Sequence, residues 1–283
     1  MFDSILIPTD GSRAARHASD MAFEFGEQFD ATVNVLTVTE ASDIDADLEE
    51  VHHQELAEVS IPLGGDATEP IVARGTERGL EVTTAVRDGS AHAAILKYAA
   101  ENDIGLIVMG THGRTDTALG STTERVVTAA SSPVLAVPFP VGSDPSMADR
   151  IVIATDGSEL AERAAESAFA VAETFGASVS VCYVLDTTVY QLADAPRSII
   201  GLLESGGRRA VDSIATTGRE RGLSVQIEVR RGPPADGIVD FADAVEARLI
   251  VLGSRGRGGV EDHFLGSTAA RVLRRSNRPI LVV

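Results

Sequence analysis

At 283 residues the chain is about twice the length of a usual domain, so two domains are the expected arrangement. Apolar residues make up 44% and charged residues 23%, which excludes a mainly disordered chain, and 42 acids against 24 bases give a net charge of −18 that repels nucleic acid and anionic membranes. No apolar run approaches the roughly 18 residues of a membrane span, and Met1 to Asp10 carries an acid at Asp3 and no basic n-region, so a soluble, cytoplasmic protein is expected.

The first strand candidate is Ser4 to Pro8, which runs into Thr9-Asp10-Gly11-Ser12. Ser12 to Phe29 follows as a helix with Ala15, Ala18, Ala22 and Phe25 on one face, and Thr32 to Val38 as a second strand. The acidic stretch Asp43 to Glu58, which contains His52 and His53, has no metal-ligand spacing and reads as a solvated helix face. Glu81 to Arg87 is the third strand, and Ser90 to Ala100 a helix with Ile95, Leu96 and Ala99 at helical spacing. Leu106 to Met109 is the fourth strand, followed by Gly110-Thr-His-Gly113, a loop, Gly120-Ser121-Thr122 and a helix; Val134 to Val137 is the fifth. Most of these strands are apolar nearly throughout, as expected of parallel strands covered on both faces. Strands alternating with helices call for right-handed crossovers and a doubly wound parallel α/β sheet.

The same pattern then repeats. Asp3-Ser-Ile-Leu-Ile-Pro-Thr-Asp-Gly-Ser12 recurs 146 residues later as Asp149-Arg-Ile-Val-Ile-Ala-Thr-Asp-Gly-Ser158. Arg78-Gly-Leu-Glu-Val82 matches Arg221-Gly-Leu-Ser-Val225 at an offset of 143, and Leu119-Gly-Ser-Thr122 matches Leu265-Gly-Ser-Thr268 at 146. The chain is a tandem duplication with domains over 1–140 and 148–283, joined by Pro138-Phe-Pro-Val-Gly-Ser-Asp-Pro145, where three prolines prevent regular structure. Residues 1–143 hold 23 acids and 8 bases (−15), residues 144–283 hold 19 and 16 (−3), so the second copy is the better candidate to hold a polyanion. The single cysteine, Cys182, excludes an internal disulfide and reads as a small core residue.

In an open parallel sheet a ligand sits beyond the carboxyl ends of the strands, where their order reverses. If the order is 3-2-1-4-5, the first and fourth strands flank that point, and Thr9-Asp10-Gly11-Ser12 shares one crevice with Gly110-Thr-His-Gly113. The second copy pairs Thr155-Asp156-Gly157-Ser158 with Gly253-Ser-Arg-Gly256 in the same way. Glycine lets backbone N–H groups approach a ligand, Ser and Thr add hydroxyl donors, and the helix after Gly120 or Gly266 begins with unpaired N–H groups, a combination that suits phosphate. An aspartate at the first strand end can accept from a ribose hydroxyl. The competing account is structural: Ser12 and Ser158 as helix N-caps, with no ligand.

Thr-Asp-Gly-Ser at the strand end, with Gly253-x-x-Gly256, nine residues and Gly266-Ser267, resembles the universal stress protein family, whose nucleotide-binding members carry G-x2-G-x9-G-(S/T). The resemblance covers nearly the whole chain. It implies two tandem doubly wound domains, each an adenine nucleotide alpha hydrolase-like five-stranded parallel sheet of order 3-2-1-4-5 with helices on both faces. It also implies ATP as ligand, with Mg or Mn as its cation. In the second copy it assigns Asp156, beside Ala154 and Thr155, to ribose, Val184 to adenine, and Gly253, Gly256, Gly266, Ser267 and Thr268 to the phosphates, with Arg255 and Arg257 inside that segment. In the first copy the matching positions are Pro8, Thr9, Asp10, Val38, Gly110, Gly113, Gly120, Ser121 and Thr122, but only six residues separate Gly113 from Gly120, and His112 replaces Arg255. The shortened loop ranks the first site below the second. No side chain is assigned to the cation.

There is no Gly-x4-Gly-Lys-(Ser/Thr), no Gly-x-Gly-x-x-Gly after either first strand, and no Ser-His-Asp or Cys-His set at matching positions. No general base is evident, so the expectation is a nucleotide-binding stress-response regulator and at most a slow ATPase. The alternative is a nucleotide-independent interaction module with vestigial crevices. The fifth strands, Val134 to Val137 and Pro279 to Val283, are edges expected to pair within the chain as a pseudo-dimer, with further homo-oligomers open. The acidic composition, with Lys97 the only lysine, resembles that of proteins from extreme halophiles.

Overall fold

The computed structural model describes residues 1–39, 56–111, 119–139, 149–188, 197–256 and 264–283. His52 and His53, most of the acidic stretch Asp43 to Glu58, and the join beyond Phe139 lie outside them. The chain divides into two compact units, Met1–Pro140 and Val141–Val283.

The first unit runs β1 (Ser4–Thr9), α1 (Arg13–Phe29), β2 (Thr32–Thr39), α2 (Leu56–Glu77), β3 (Val82–Asp88), α3 (Ala91–Glu101), β4 (Leu106–Gly110), α4 (Ser121–Ala129) and β5 (Val134–Val137). Its strands lie in the order β3-β2-β1-β4-β5 and every pairing is parallel. The register sets Ser4 across from Thr32 and Thr9 across from Thr37, so β2 runs two residues past the carboxyl end of β1. Successive residues of β2 point to opposite faces: Val33 lies under Gly26 of α1, whereas Asn34 accepts from the Tyr98 hydroxyl of α3.

The second unit repeats this as β6 (Arg150–Ala154), α5 (Glu159–Phe175), β7 (Ser178–Asp186), α6 (Arg197–Glu220), β8 (Val225–Gly232), α7 (Pro234–Ala244), β9 (Leu249–Leu252), α8 (Ser267–Arg275) and β10 (Ile280–Val282). Its order is β8-β7-β6-β9-β10, again all parallel. Among the described residues no helix is long and apolar enough to cross a membrane.

Central strands carry the core, with Ile5, Leu6, Ile7, Leu106 and Ile107 in one unit and Ile151, Val152, Ile153, Ile250 and Val251 in the other fully buried. The third strand departs from the expectation of cover on both faces. Among the described residues β3 has one side without a neighbouring strand, and its Thr83, Thr84 and Val86 are exposed. In α3 the fully buried trio is Ile95, Tyr98 and Ala99, with Leu96 only half-buried, because the Tyr98 ring reaches the sheet and its hydroxyl finds Asn34.

The repeated Arg-Gly-Leu sequence has a structural origin. Arg78 and Arg221 set their guanidinium groups 5.6 and 5.2 Å from the ring centres of Phe23 and Phe169. Gly79 and Gly222 take the left-handed conformation at φ 80° and 83° that lets the chain leave α2 and α6.

Candidate functional site

The first strand of each unit ends in a turn whose polar side chains fold back on the backbone. In the first unit Thr9 Oγ1 accepts from the Gly11 N–H (3.1 Å) and Asp10 Oδ1 from the Ser12 N–H (2.9 Å). In the second, Thr155 Oγ1 accepts from Gly157 (3.0 Å) and Asp156 Oδ1 from Ser158 (2.9 Å). Gly11 and Gly157 sit at φ 74° and 76°, which a side chain would strain. Ser12 and Ser158 are N-caps, their hydroxyls accepting from Ala15 (3.1 Å) and Ala161 (3.3 Å). One oxygen of each aspartate is thereby fixed. Asp10 is exposed and Asp156 half-buried.

The fourth strand of each unit ends against the first turn of that unit's first helix, α1 or α5. A Cβ on Gly110 would sit 3.1 Å from Ala14 Cβ, and one on Gly253 3.2 Å from Leu160 Cβ, so tight packing favours glycine at both positions without any ligand. The next residue clamps the loop. Thr111 donates its N–H to the Val137 carbonyl (2.9 Å) and accepts from the Gly120 N–H (2.7 Å); Ser254 does the same with Val283 and Gly266 (2.8 Å each). The three-residue difference between the copies therefore falls wholly between identical clamps. Sequence reading passed over Thr111 and Ser254, since backbone bonds leave no signature in residue type.

α4 and α8 then begin after Gly120 and Gly266 with no side chain capping either. The first turn of α4 contains Glu124, whereas that of α8 has no acid. Thr123 Oγ1 donates to the Gly110 carbonyl (2.8 Å), an interaction lost in the second unit, where Ala269 stands.

In the second unit the two clusters meet. A Cβ on Gly256 would lie 2.5 Å from Asp156 Oδ2, so the backbone of the Gly-x-x-Gly segment touches the strand-end carboxylate. Ala154 and Thr155 are buried beside it, Gly253, Arg255, Gly266 and Thr268 are half-buried, and Ser267 is exposed. Val184 lies two residues before the end of β7 with its side chain against Gly237 of α7, where a Cβ would come within 2.9 Å. Arg257 is outside the described residues. In the first unit Pro8 and Thr9 are buried, Val38, Gly110, Gly120 and Thr122 half-buried, and Ser121 exposed, while Gly113 and His112 are outside the described residues.

His17 and Cys182 are perturbed, and Cys182 borders the second cluster, its carbonyl accepting the Thr155 N–H at 2.9 Å. Burial, with Arg74 nearby, lowers the His17 pKa, and burial pushes the Cys182 thiol up to about 12. Among the described residues no three His, Cys, Asp or Glu side chains gather as a metal site.

Two parallel doubly wound units, the second with its Gly-x-x-Gly segment closing on the end of its first strand, define a tandem α/β protein. The universal stress protein family model matches residues 1–138 and 147–283, and the chain belongs to that family. A universal stress protein of Methanocaldococcus jannaschii is 38% identical over 47% of this chain and 81% of its own length. One from Mycolicibacterium smegmatis is 31% identical over 74% of this chain and 71% of its own. The crystal structure of a universal stress protein from Archaeoglobus fulgidus superposes with a TM-score of 0.74 at 26% identity, covering 100% of this chain and 98% of that one.

Proposed function

We propose that the protein is a cytoplasmic ATP-binding regulatory module of the stress response, with its working site in the second crevice. The contact between Gly256 and the Asp156 carboxylate carries this reading, because it joins the ribose-suited acceptor to the phosphate-suited loop. The residues would suit an adenine nucleotide, and Mg or Mn would come with its phosphates, since no side chain is assigned to the cation. Asp156 Oδ1 is held by the turn at the crevice, and a Cβ on Gly266 would lie 3.2 Å from the Ser254 carbonyl, a closeness only glycine fits easily. Gly253, Gly256, Gly266, Ser267 and Thr268 would offer backbone and hydroxyl donors, and Val184 would lie against the base. The start of α8, without an acid in its first turn, favours phosphate more than that of α4, where Glu124 brings a like charge.

The second reading, a nucleotide-independent interaction module, rests on the packing of Gly110 against Ala14 and Gly253 against Leu160, which accounts for those glycines without a ligand. Titration of ATP with magnesium into nucleotide-free protein decides between them. Saturable binding lost in Gly266→Arg and kept in Gly120→Arg supports the nucleotide reading, and no binding by folded protein supports the other. Phosphate release above the Gly266→Arg control would mark an ATP-hydrolysing switch. Pairing of the fifth strands within the chain is a proposal of the same standing, and a crosslink survey finding Val134–Val137 and Pro279–Val283 far apart would refute it.

A further inference from the structure

The second unit holds a concavity of about 710 Å³ lined by Asp149, Arg150, Val245, Glu246, Arg248 and Arg278. It lies where β6, β9 and β10 begin, at the opposite end of the strands from the nucleotide crevice. The duplication supplies a control for what these arginines do. The same three positions of the first unit hold Ser4, Gly105 and Ser132, on a backbone bonded alike: Gly105 N–H to Ser4 carbonyl at 2.9 Å, Arg248 N–H to Arg150 carbonyl at 2.8 Å. The lining acids are common to both copies. Asp3 matches Asp149, and Asp103 (φ 47°) matches Glu246 (φ 53°). Three cations have thus been set around one hollow, and the acid gained with them is Asp243, beside the hollow, where the first unit has Ala100.

Two of the three heads are ion-paired, but with carboxylates that lie further out in water than the arginines do. Arg150 donates through Nε to Ser178 Oγ (3.3 Å) and through Nη1 to the Val245 carbonyl (3.4 Å), both neutral and both long. Arg248 uses Nε on Asp149 (3.1 Å), and Arg278 uses Nε on Asp243 (2.9 Å) and Nη1 on the Ala247 carbonyl. The arginines are the deeper partners, at 32% and 25% exposure against 65% and 62% for the two aspartates. Ion pairs with carboxylates so far into water contribute only about 0–1 kcal/mol, so an entering anion competes with them easily. Guanidinium groups have five N–H donors in a planar fork that matches phosphate oxygens two at a time.

We infer that this hollow is a second anion site, distinct from the nucleotide crevice, which takes a free or esterified phosphate between Arg150, Arg248 and Arg278. It does not depend on ATP binding at the other end of the sheet. The test is calorimetric titration of the full chain with inorganic phosphate and, separately, glycerol 3-phosphate, at an ionic strength fixed with KCl. The expected result is saturable binding that weakens at least tenfold in Arg150→Ser/Arg278→Ser, which restores the first unit's residues, and persists in Gly266→Arg. Tighter binding of one titrant tells free phosphate from an ester. Failure to saturate, loss in Gly266→Arg, or unchanged binding in the double variant overturns the assignment. A readout on the unaltered protein covers the case of a misfolded variant: phosphate should slow phenylglyoxal modification of Arg150 and Arg278, read by peptide mass, and equal rates with and without phosphate refute the site.

Discussion

Asn34 and Ser180 occupy the same position in the duplicated second strands, and only one of them is satisfied. Asn34 donates to Ser4 Oγ (3.1 Å) and accepts from the hydroxyls of Thr83 (2.9 Å) and Tyr98 (3.3 Å). The second unit has replaced Ser4 by Arg150 and Tyr98 by Phe241, and the fully buried Ser180 hydroxyl has no partner among the described residues. An unmade buried hydrogen bond costs about 1–3 kcal/mol, so Ser180→Ala should leave stability unchanged or raise it by about 1 kcal/mol. Asn34→Ala should lower it by about 1–3 kcal/mol, because it strands its partner hydroxyls. Urea midpoints measure both, and equal losses would contradict the assignment of Ser180 as an orphan. Two positions further along β7, Cys182 is 1% exposed and its thiol is pushed up to about 12 from 9.0. The unfolded chain therefore gives up this proton first as pH rises. Its contribution is complete below pH 9 and is lost between 9 and 12, at about 1.4 kcal/mol per pH unit. The difference between the pH profiles of wild type and Cys182→Ser isolates that slope, and parallel profiles would exclude it.

At the scale of the element, both ends of α1 can be read from its residues, whereas the long α2 and α6 were not read and no element's neighbours can be. Strand ends such as Ser4 and Val134 were legible because aliphatic runs stop at polar turn residues, and α1 because Ser12 precedes its apolar stripe. The burial of Tyr98 in place of Leu96, the exposure of β3, and the clamps at Thr111 and Ser254 depend on which element lies alongside, which periodicity does not encode. The candidate site divides the same way: its residue types were visible in the repeats, whereas the touch of Gly256 on Asp156 is a tertiary fact. The first turns of α1 and α5 show how local rules yield to such neighbours. α5 opens with Glu159 and Glu162, favourable against the positive helix end, and α1 carries Arg13 and Arg16 at those positions. These arginines are held elsewhere, Arg16 Nη1 on the Gly11 carbonyl and Arg13 over the Phe139 ring at 5.3 Å. On α5 a cation at either position would oppose the positive helix end that Glu159 and Glu162 now complement. Glu159→Arg/Glu162→Arg should therefore lower stability by about 1 kcal/mol in 0.1 M salt and by less in 2 M, read from urea midpoints. A loss independent of salt would point to packing instead.

Over the whole molecule the duplication has kept a backbone and divided the charge. Turns, caps and loop clamps recur bond for bond in the two units, yet residues 1–143 carry −15 and residues 144–283 carry −3. Charge of one sign opposes compaction, and screening relieves it, since the Debye length falls from about 10 Å at 0.1 M salt to about 3 Å at 1 M. The two halves should respond unequally. Raising KCl from 0.1 to 2 M should increase native-state amide protection in the core strands β1 and β4 more than in β6 and β9. The excess repulsion being relieved belongs to the first unit, and Arg150, Arg248 and Arg278 already offset acids in the second. Hydrogen exchange followed by mass spectrometry reports each strand separately on the intact chain. An equal gain in both units would mean that salt acts through apolar burial, which the two cores share, rather than through charge, which they do not.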